Sequence, residues 1–463
     1  MQPPDQQQAF SEPDQPLSFT KADFGEDFKW GVATAAIQIE GAVNEGGRGP
    51  GIWEAFSAKK GKIKNGDTPT HSCRFYEHYE ADLEIARSLG FRQFRFSISW
   101  SRIYPSGFGK INEEGIAFYN RVIDHCISLG LEPWVTLYHW DLPLALEDLG
   151  GWKNRKIVNW FREYAVTCAR AFGDRVRSWI VINEPMAVTG LGYVTGLHAP
   201  GKRGVWNFLP VVHHLALCQA EGGRAIREHV DNAYIGAAVS CSYVYPASEK
   251  PADVRAARRA DAIMNRLFIE PALGLGYPVE AFTFLTQMKR YMLPGDEENL
   301  RFNFDFIGVQ NYFSVVVRHT YLAPVIWLQE VPARLRNVRM TGMGWEINPH
   351  GLYLILKQYD AYEGTRDIII SENGAAFEDF VENGKVNDID RRLYFQDYLK
   401  AVLKAKKEGV NVNGYFAWTL MDNFEWAEGY SARFGLVHVD FSTQKRIVKS
   451  SGEWFAKFLN VTH

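Results

Sequence analysis

No part of the 463-residue sequence is apolar for long enough to span a bilayer, and no polybasic run marks a membrane surface. Charge is nearly balanced. The 51 Lys and Arg against 54 Asp and Glu leave a formal net of −3, so the basic excess of a nucleic-acid binder is missing. Cysteine is scarce, at five residues: Cys73, Cys126, Cys168, Cys218 and Cys241. Their number is odd, their spacing wide, and no Cys-x-x-Cys occurs. That argues against a disulfide framework or a zinc site and for buried thiols in a reducing compartment. The opening stretch, MQPPDQQQAFSEPDQPL, has neither the basic start nor the apolar core of a secretion signal. Cytoplasmic residence is therefore the expectation. Residues 1–20, polar and rich in Pro and Gln, read as a disordered tail ahead of one domain over 21–463. The lone acceptor triplet Asn460-Val461-Thr462 reads as a chance occurrence.

What is present is apolar residue in quantity, 46% of the chain with 14 Trp, enough for a large core. Most of those rings must pack in it. β-Rich runs at 28–33, 93–98, 134–138, 178–182, 234–239, 306–309, 367–370 and 414–418 alternate with helical patterns. The helices are expected at 76–89, 113–129, 157–172, 209–230, 252–268, 352–362 and 391–407. Eight strands alternating with helices predict an α/β fold, a single (β/α)8 TIM barrel rather than an open doubly wound sheet. Nearly every strand runs into polar or aromatic residues: Gln38, Arg95, His139, Asn183-Glu184, Asn311-Tyr312, Glu372-Asn373 and Trp418. In such a barrel the C-terminal strand ends converge on one mouth, so these residues are expected to meet there.

Two of those ends are alike. Ile180-Val181-Ile182 runs into Asn183-Glu184-Pro185, and Ile368-Ile369-Ile370 into Ser371-Glu372-Asn373-Gly374. One Glu after a strand is commonly a solvated loop carboxylate. Two in the same context, on the fourth and seventh strands, face each other across the mouth. Glycosidic cleavage needs that layout: one carboxyl protonates the leaving oxygen, and the other attacks the anomeric carbon or activates water there.

Six dispersed segments carry a resemblance. WGVATAAIQIEG (30–41), RFSISWSRIYP (95–105), TLYHWDLP (136–143), INEP (182–185), ISENG (370–374) and WTLMDNFEWAEGY (418–430) resemble, in order, the signatures of glycoside hydrolase family 1. These are barrel-fold β-glucosidases, β-galactosidases and relatives that hydrolyse with retention. The resemblance covers residues 24 to about 460. It implies Glu184 as acid/base and Glu372 as nucleophile, with Arg95 and Tyr312 supporting the nucleophile. It further implies substrate binding by Gln38, His139, Asn183, Tyr312, Trp345, Trp418, Glu425 and Trp426, with Trp345 as aglycone platform. On residues alone His139 reads as a satisfied core histidine, Arg95 equally as an ordinary strand-end ion pair or a functional group, and Trp418 and Trp426 as barrel packing. Two departures stand out: Ile37 precedes Gln38 where the family has Tyr, and Ser371 replaces the commoner Thr.

The expected substrate is a β-glucoside or cello-oligosaccharide, as in cellulose degradation, with galactoside or fucoside as further glycones. A Glu at position 184 disfavours the thioglucosidase branch, which resembles plant myrosinase and carries Gln there. A carboxylate at 425 disfavours the phospho-β-glycosidases, which tend to have Ser and whose ligand it would repel. No metal or organic cofactor is expected, and neither is a nucleic-acid or membrane partner. A transglycosidase shares the first step. A sugar-binding pseudoenzyme would have lost one Glu, and both are present. The Gly46–Gly51 run does not open a helix after a strand as a dinucleotide fingerprint must. His213-His214 has no partner at metal spacing, and Arg255, Arg258 and Arg259 read as a solvated helix face. Arg95 and Tyr312 are expected to hold the Glu372 pKa low, and Glu372 to hold that of Glu184 high. The segment 321–343 fits no pattern.

Overall fold

A computed structural model of the chain describes residues 11–12, 15–364 and 367–460. Eight parallel strands close into a barrel: β1 (Lys29–Ala33), β2 (Gln93–Ser97), β3 (Glu132–Tyr138), β4 (Ser178–Asn183), β5 (Tyr234–Ser240), β6 (Phe306–Gln310), β7 (Asp367–Asn373) and β8 (Val412–Trp418). Neighbours in sequence are neighbours in the barrel, and β1 pairs with both β2 and β8 to close it. The β-branched runs of β4 and β7 are buried almost throughout, as strands covered on both faces must be. Each strand is followed by a helix: α1 (Phe75–Ser88), α2 (Glu113–Ser128), α3 (Ile157–Phe172), α4 (Phe208–His229), α5 (Pro251–Asp261), α6 (Pro349–Asp360), α7 (Ile389–Lys407) and α8 (Ser450–Asn460). All eight expected strands and all seven expected helices are present. α6 shows why one such helix starts where it does. Pro349 occupies the first turn, and the Asn348 side chain accepts a hydrogen bond from Gly351 N–H.

The barrel is filled, not hollow. Trp134, Phe306 and Phe416 meet inside it with ring centroids 4.8 Å (Trp134–Phe416) and 5.4 Å (Trp134–Phe306) apart. Glycines make the room. A Cβ on Gly31 would lie 2.2 Å from the Phe416 ring, and one on Gly236 would lie 2.2 Å from Phe306. This plug seals the lower barrel and leaves the C-terminal strand ends as the open mouth.

Two expectations are refined. The helix over 252–268 is α5 followed by a π turn at Ala262–Arg266. Buried Asn265 sits in that turn, and its amide bonds both N–H and C=O of Ser242. The segment 321–343 joins a small sheet: Val315–His319 pairs with Val244–Pro246 and with Leu328–Glu330. Most of the tail over 1–20, and the Val461-Thr462 end of the acceptor triplet, lie outside the described residues. Where it is described, the tail rests on the barrel. Ser11 N–H donates to Asp397 Oδ1 at 2.9 Å, and Phe19 packs edge-on against Phe24 and Phe458. Among the described residues no helix is long and apolar enough to cross a membrane, and no His, Cys, Asp and Glu group could hold a metal. The five cysteines are free and buried.

Candidate active site

The mouth is organised around one buried guanidinium. Arg95 ends up wholly buried on β2, where Nε donates to Thr136 Oγ1 at 3.1 Å. Its Nη1 donates to Glu372 Oε1 and its Nη2 to Asn183 Oδ1, both at 2.5 Å. One planar fork thereby fixes side chains from β4 and β7 relative to each other. Tyr312 O–H donates to the other oxygen, Glu372 Oε2, at 2.6 Å.

A residue absent from the sequence reading completes this knot. Gln310 Nε2 donates to Glu372 Oε1 at 2.8 Å and to Asn183 Oδ1 at 2.6 Å. Gln310 is the last residue of β6 and the register partner of Glu372 in β7. The signal was its place in the strand-end set, two residues before Tyr312.

Asn183 also links His139. Its Nδ2 lies 3.0 Å from His139 Nε2, which must accept, so the imidazole hydrogen is on Nδ1. Burial, with the Arg95 charge, holds the His139 pKa well below its ordinary value, so the ring is neutral. Its Nδ1 and the Oε1 atoms of Gln38 and Gln310 are buried without a partner among the described residues. Gln38 Nε2 reaches Glu425 Oε2 at 3.2 Å and Asn423 Oδ1 at 3.0 Å. The rings follow. His139 stacks on Trp418 (5.9 Å) and on Trp426 (5.8 Å), while Trp140 donates Nε1–H to the Asn183 carbonyl. Trp345 stands apart, 5.7 Å from Tyr312 and 5.1 Å from Phe313. Ile37 is a buried neighbour of Gln38. All eleven residues expected at the site are thus buried or partly buried, at the strand ends or on the segments that follow them.

Glu184 follows β4 with a left-handed backbone, φ 44°, and its N–H donates to the Ala238 carbonyl at 2.9 Å. Such a conformation in a non-glycine residue is sparsely populated and is held by its surroundings. Burial raises the Glu184 pKa first and the Glu372 charge second, leaving it well above the usual carboxyl range. The Glu372 expectation is corrected. Burial raises its pKa, and Arg95 and Tyr312 reduce that rise without reversing it. The order of the two survives, because Arg95 donates directly to Glu372 and acts on Glu184 only as a lesser charge. Glu425 is pushed up to about 8 by burial and then by Glu372.

A filled parallel barrel whose mouth holds two buried carboxyls of unequal acidity, among ring faces and side-chain amides, defines a glycoside hydrolase. The chain belongs to glycosyl hydrolase family 1, whose model matches residues 20–463. It is 44% identical to β-glucosidase A of Thermotoga maritima over 94% of this chain and 97% of that one. It is 42% identical to a 1,4-β-D-glucan glucohydrolase of Thermotoga neapolitana, over 94% and 98%. The solved Thermotoga maritima β-glucosidase in complex with glucoimidazole superposes with TM-score 0.89 at 43% identity, covering 94% of this chain and 98% of that one.

Proposed function

We propose that this chain is a retaining β-glucosidase acting on terminal β-D-glucosyl residues of cello-oligosaccharides and related glycosides. Protonated Glu184 gives its hydrogen to the glycosidic oxygen while a Glu372 oxygen attacks the anomeric carbon. The C–O bond to the aglycone breaks, and a glucosyl ester of Glu372 forms. Water then attacks the same carbon, Glu184 takes its proton, and the ester bond breaks to restore the Glu372 carboxylate. Arg95, Gln310 and Tyr312 orient and charge-stabilise the nucleophile. Asn183, His139, Gln38, Glu425, Trp418 and Trp426 read the glycone, and Trp345 forms the aglycone wall. The five free buried thiols support a cytoplasmic setting.

The observation that carries this reading is the unequal pair. Glu184 is lifted by burial and then by the charge of Glu372, and Glu372 is held by three donors. The names of the relatives support glucose and β-1,4-glucan. Proton NMR of p-nitrophenyl β-D-glucoside turnover tests it: β-glucose is expected as the first sugar released. α-Glucose first, or no turnover of the β-glucoside alongside good turnover of the α-anomer, overturns it.

A further inference from the structure

The arginines of α5 are more than a solvated face. Arg255, Arg258 and Arg259 occupy one turn of that helix and line a groove of about 740 Å³. The opposite wall is the 280–287 stretch with Phe282 and Phe284, and Val325 and Trp327 close one side. None of these residues belongs to the site described above. Arg259 is fixed: Nε donates to the Ile326 carbonyl and Nη2 to the Trp327 carbonyl, each at 2.9 Å. Its pKa is lowered by burial and then by the charge of Arg255. Among the described residues Arg255 and Arg258 make no ion pair. Glu280, the carboxylate lining the groove, is bonded to Arg266.

Three guanidinium groups within one helical turn is more charge than a single carboxylate needs, because one planar fork suffices for that. Like charges this close repel, and a multiply charged anion relieves the repulsion. The ring walls add a second preference. Trp327 is 38% exposed, and Phe284 lies partly buried beside the arginines. A flat base gains by lying on such faces. The groove volume is in the range of small-molecule sites.

We propose that this groove binds a nucleoside di- or triphosphate, with the phosphates on Arg255, Arg258 and Arg259 and the base against Trp327 and Phe284. Calorimetric titration of the full chain, with the mouth saturated by glucose, tests it with ADP, inorganic pyrophosphate, adenosine and glucuronate. ADP is expected to bind more tightly than pyrophosphate, and adenosine and glucuronate not measurably. The double variant Arg255→Gln/Arg258→Gln, whose side chains are exposed, is expected to lose about tenfold or more in ADP affinity. β-Glucoside hydrolysis by the same preparation should be unchanged, which shows that the variant is folded. Trp327→Ala is expected to bring ADP down to the affinity of pyrophosphate. Absence of ADP binding, ADP no tighter than pyrophosphate, or an unaffected double variant overturns the proposal.

Discussion

At the scale of single residues, the proposed mechanism runs on how Glu372 and Glu184 divide their protonation. Each Glu372 oxygen has its donors: Arg95 and Gln310 on Oε1, Tyr312 on Oε2. Gln310→Leu removes one donor from both Glu372 and Asn183. Hydrogen bonds to a charged group contribute about 1.5–3 kcal/mol. The acid limb of kcat/KM, which reports ionisation of Glu372, is therefore expected to move up by about 1 pH unit or more. A limb that stays in place shows that Gln310 does not hold the anion. The partner prediction concerns Glu184, whose pKa is lifted by burial and then by the charge of Glu372. Glu372→Gln mimics the uncharged ester, so carbon-13 NMR titration of Glu184 should give a lower pKa than in the parent. In the proposed mechanism that fall converts the acid of the first step into the base of the second. An unchanged value removes the charge of Glu372 as the cause.

At the scale of elements, the loop after β8 carries Glu425 and Trp426, and a buried ion network holds it. Lys449 Nζ, wholly buried at the start of α8, donates to Asp422 Oδ1 at 2.6 Å and to Asp379 Oδ2. Arg391 joins Asp379 to Asp388, and Arg433 bonds Asp422 Oδ2. Burial opposes the ionisation of Asp422, but Lys449, Arg433 and Arg391 outweigh it and hold its pKa below the ordinary value. Lys449→Met strands two buried carboxylates, a loss of about 3–5 kcal/mol when nothing else compensates. The remaining arginines place the expected loss toward the low end. Denaturant melts at neutral pH should show it, and KM for β-glucoside should rise more than kcat falls, because Glu425 sits three residues from Asp422. A stable variant with unchanged KM separates the network from the loop. The same scale explains what was legible. The barrel strands were readable because Ile180-Val181-Ile182 and Ile368-Ile369-Ile370 are β-branched runs buried on both faces. The sheet at 244–246, 315–319 and 328–330 was not, since its Leu328–Glu330 strand is short and mostly exposed. Gln310 was missed because its role depends on strand register, which pairs it with Glu372 only once the barrel closes.

At the scale of the whole molecule, the mouth works against the fold that holds it. Glu184, Glu372 and Glu425 all have raised pKa values, and Asp141, two residues after His139, is pushed up to about 8 by burial. Each binds its proton more tightly folded than unfolded. Between the ordinary carboxyl range and about pH 8 these four groups therefore hold more protons in the folded chain than in the unfolded one. Stability from these groups is fully present at low pH and is lost as pH rises through the folded values. In the proposed glycone-reading role a carboxylate at 425 has a reason to stay despite this: once ionised, it is a charge-assisted acceptor that holds sugar hydroxyls more strongly than an amide does. Glu425→Gln isolates the trade. The amide is neutral at every pH, and it removes a charge that repels both Glu372 and Glu184. Calorimetric melting at pH 5 and at pH 8.5 should show the variant gaining little over the parent at the lower pH. At the higher pH it should gain a few degrees, on the order of 1 °C per kcal/mol for a domain of this length. Glucoside turnover should fall at both. Equal gains at the two pH values would mean that the change acts through packing, and that the ionisation of Glu425 carries no stability cost.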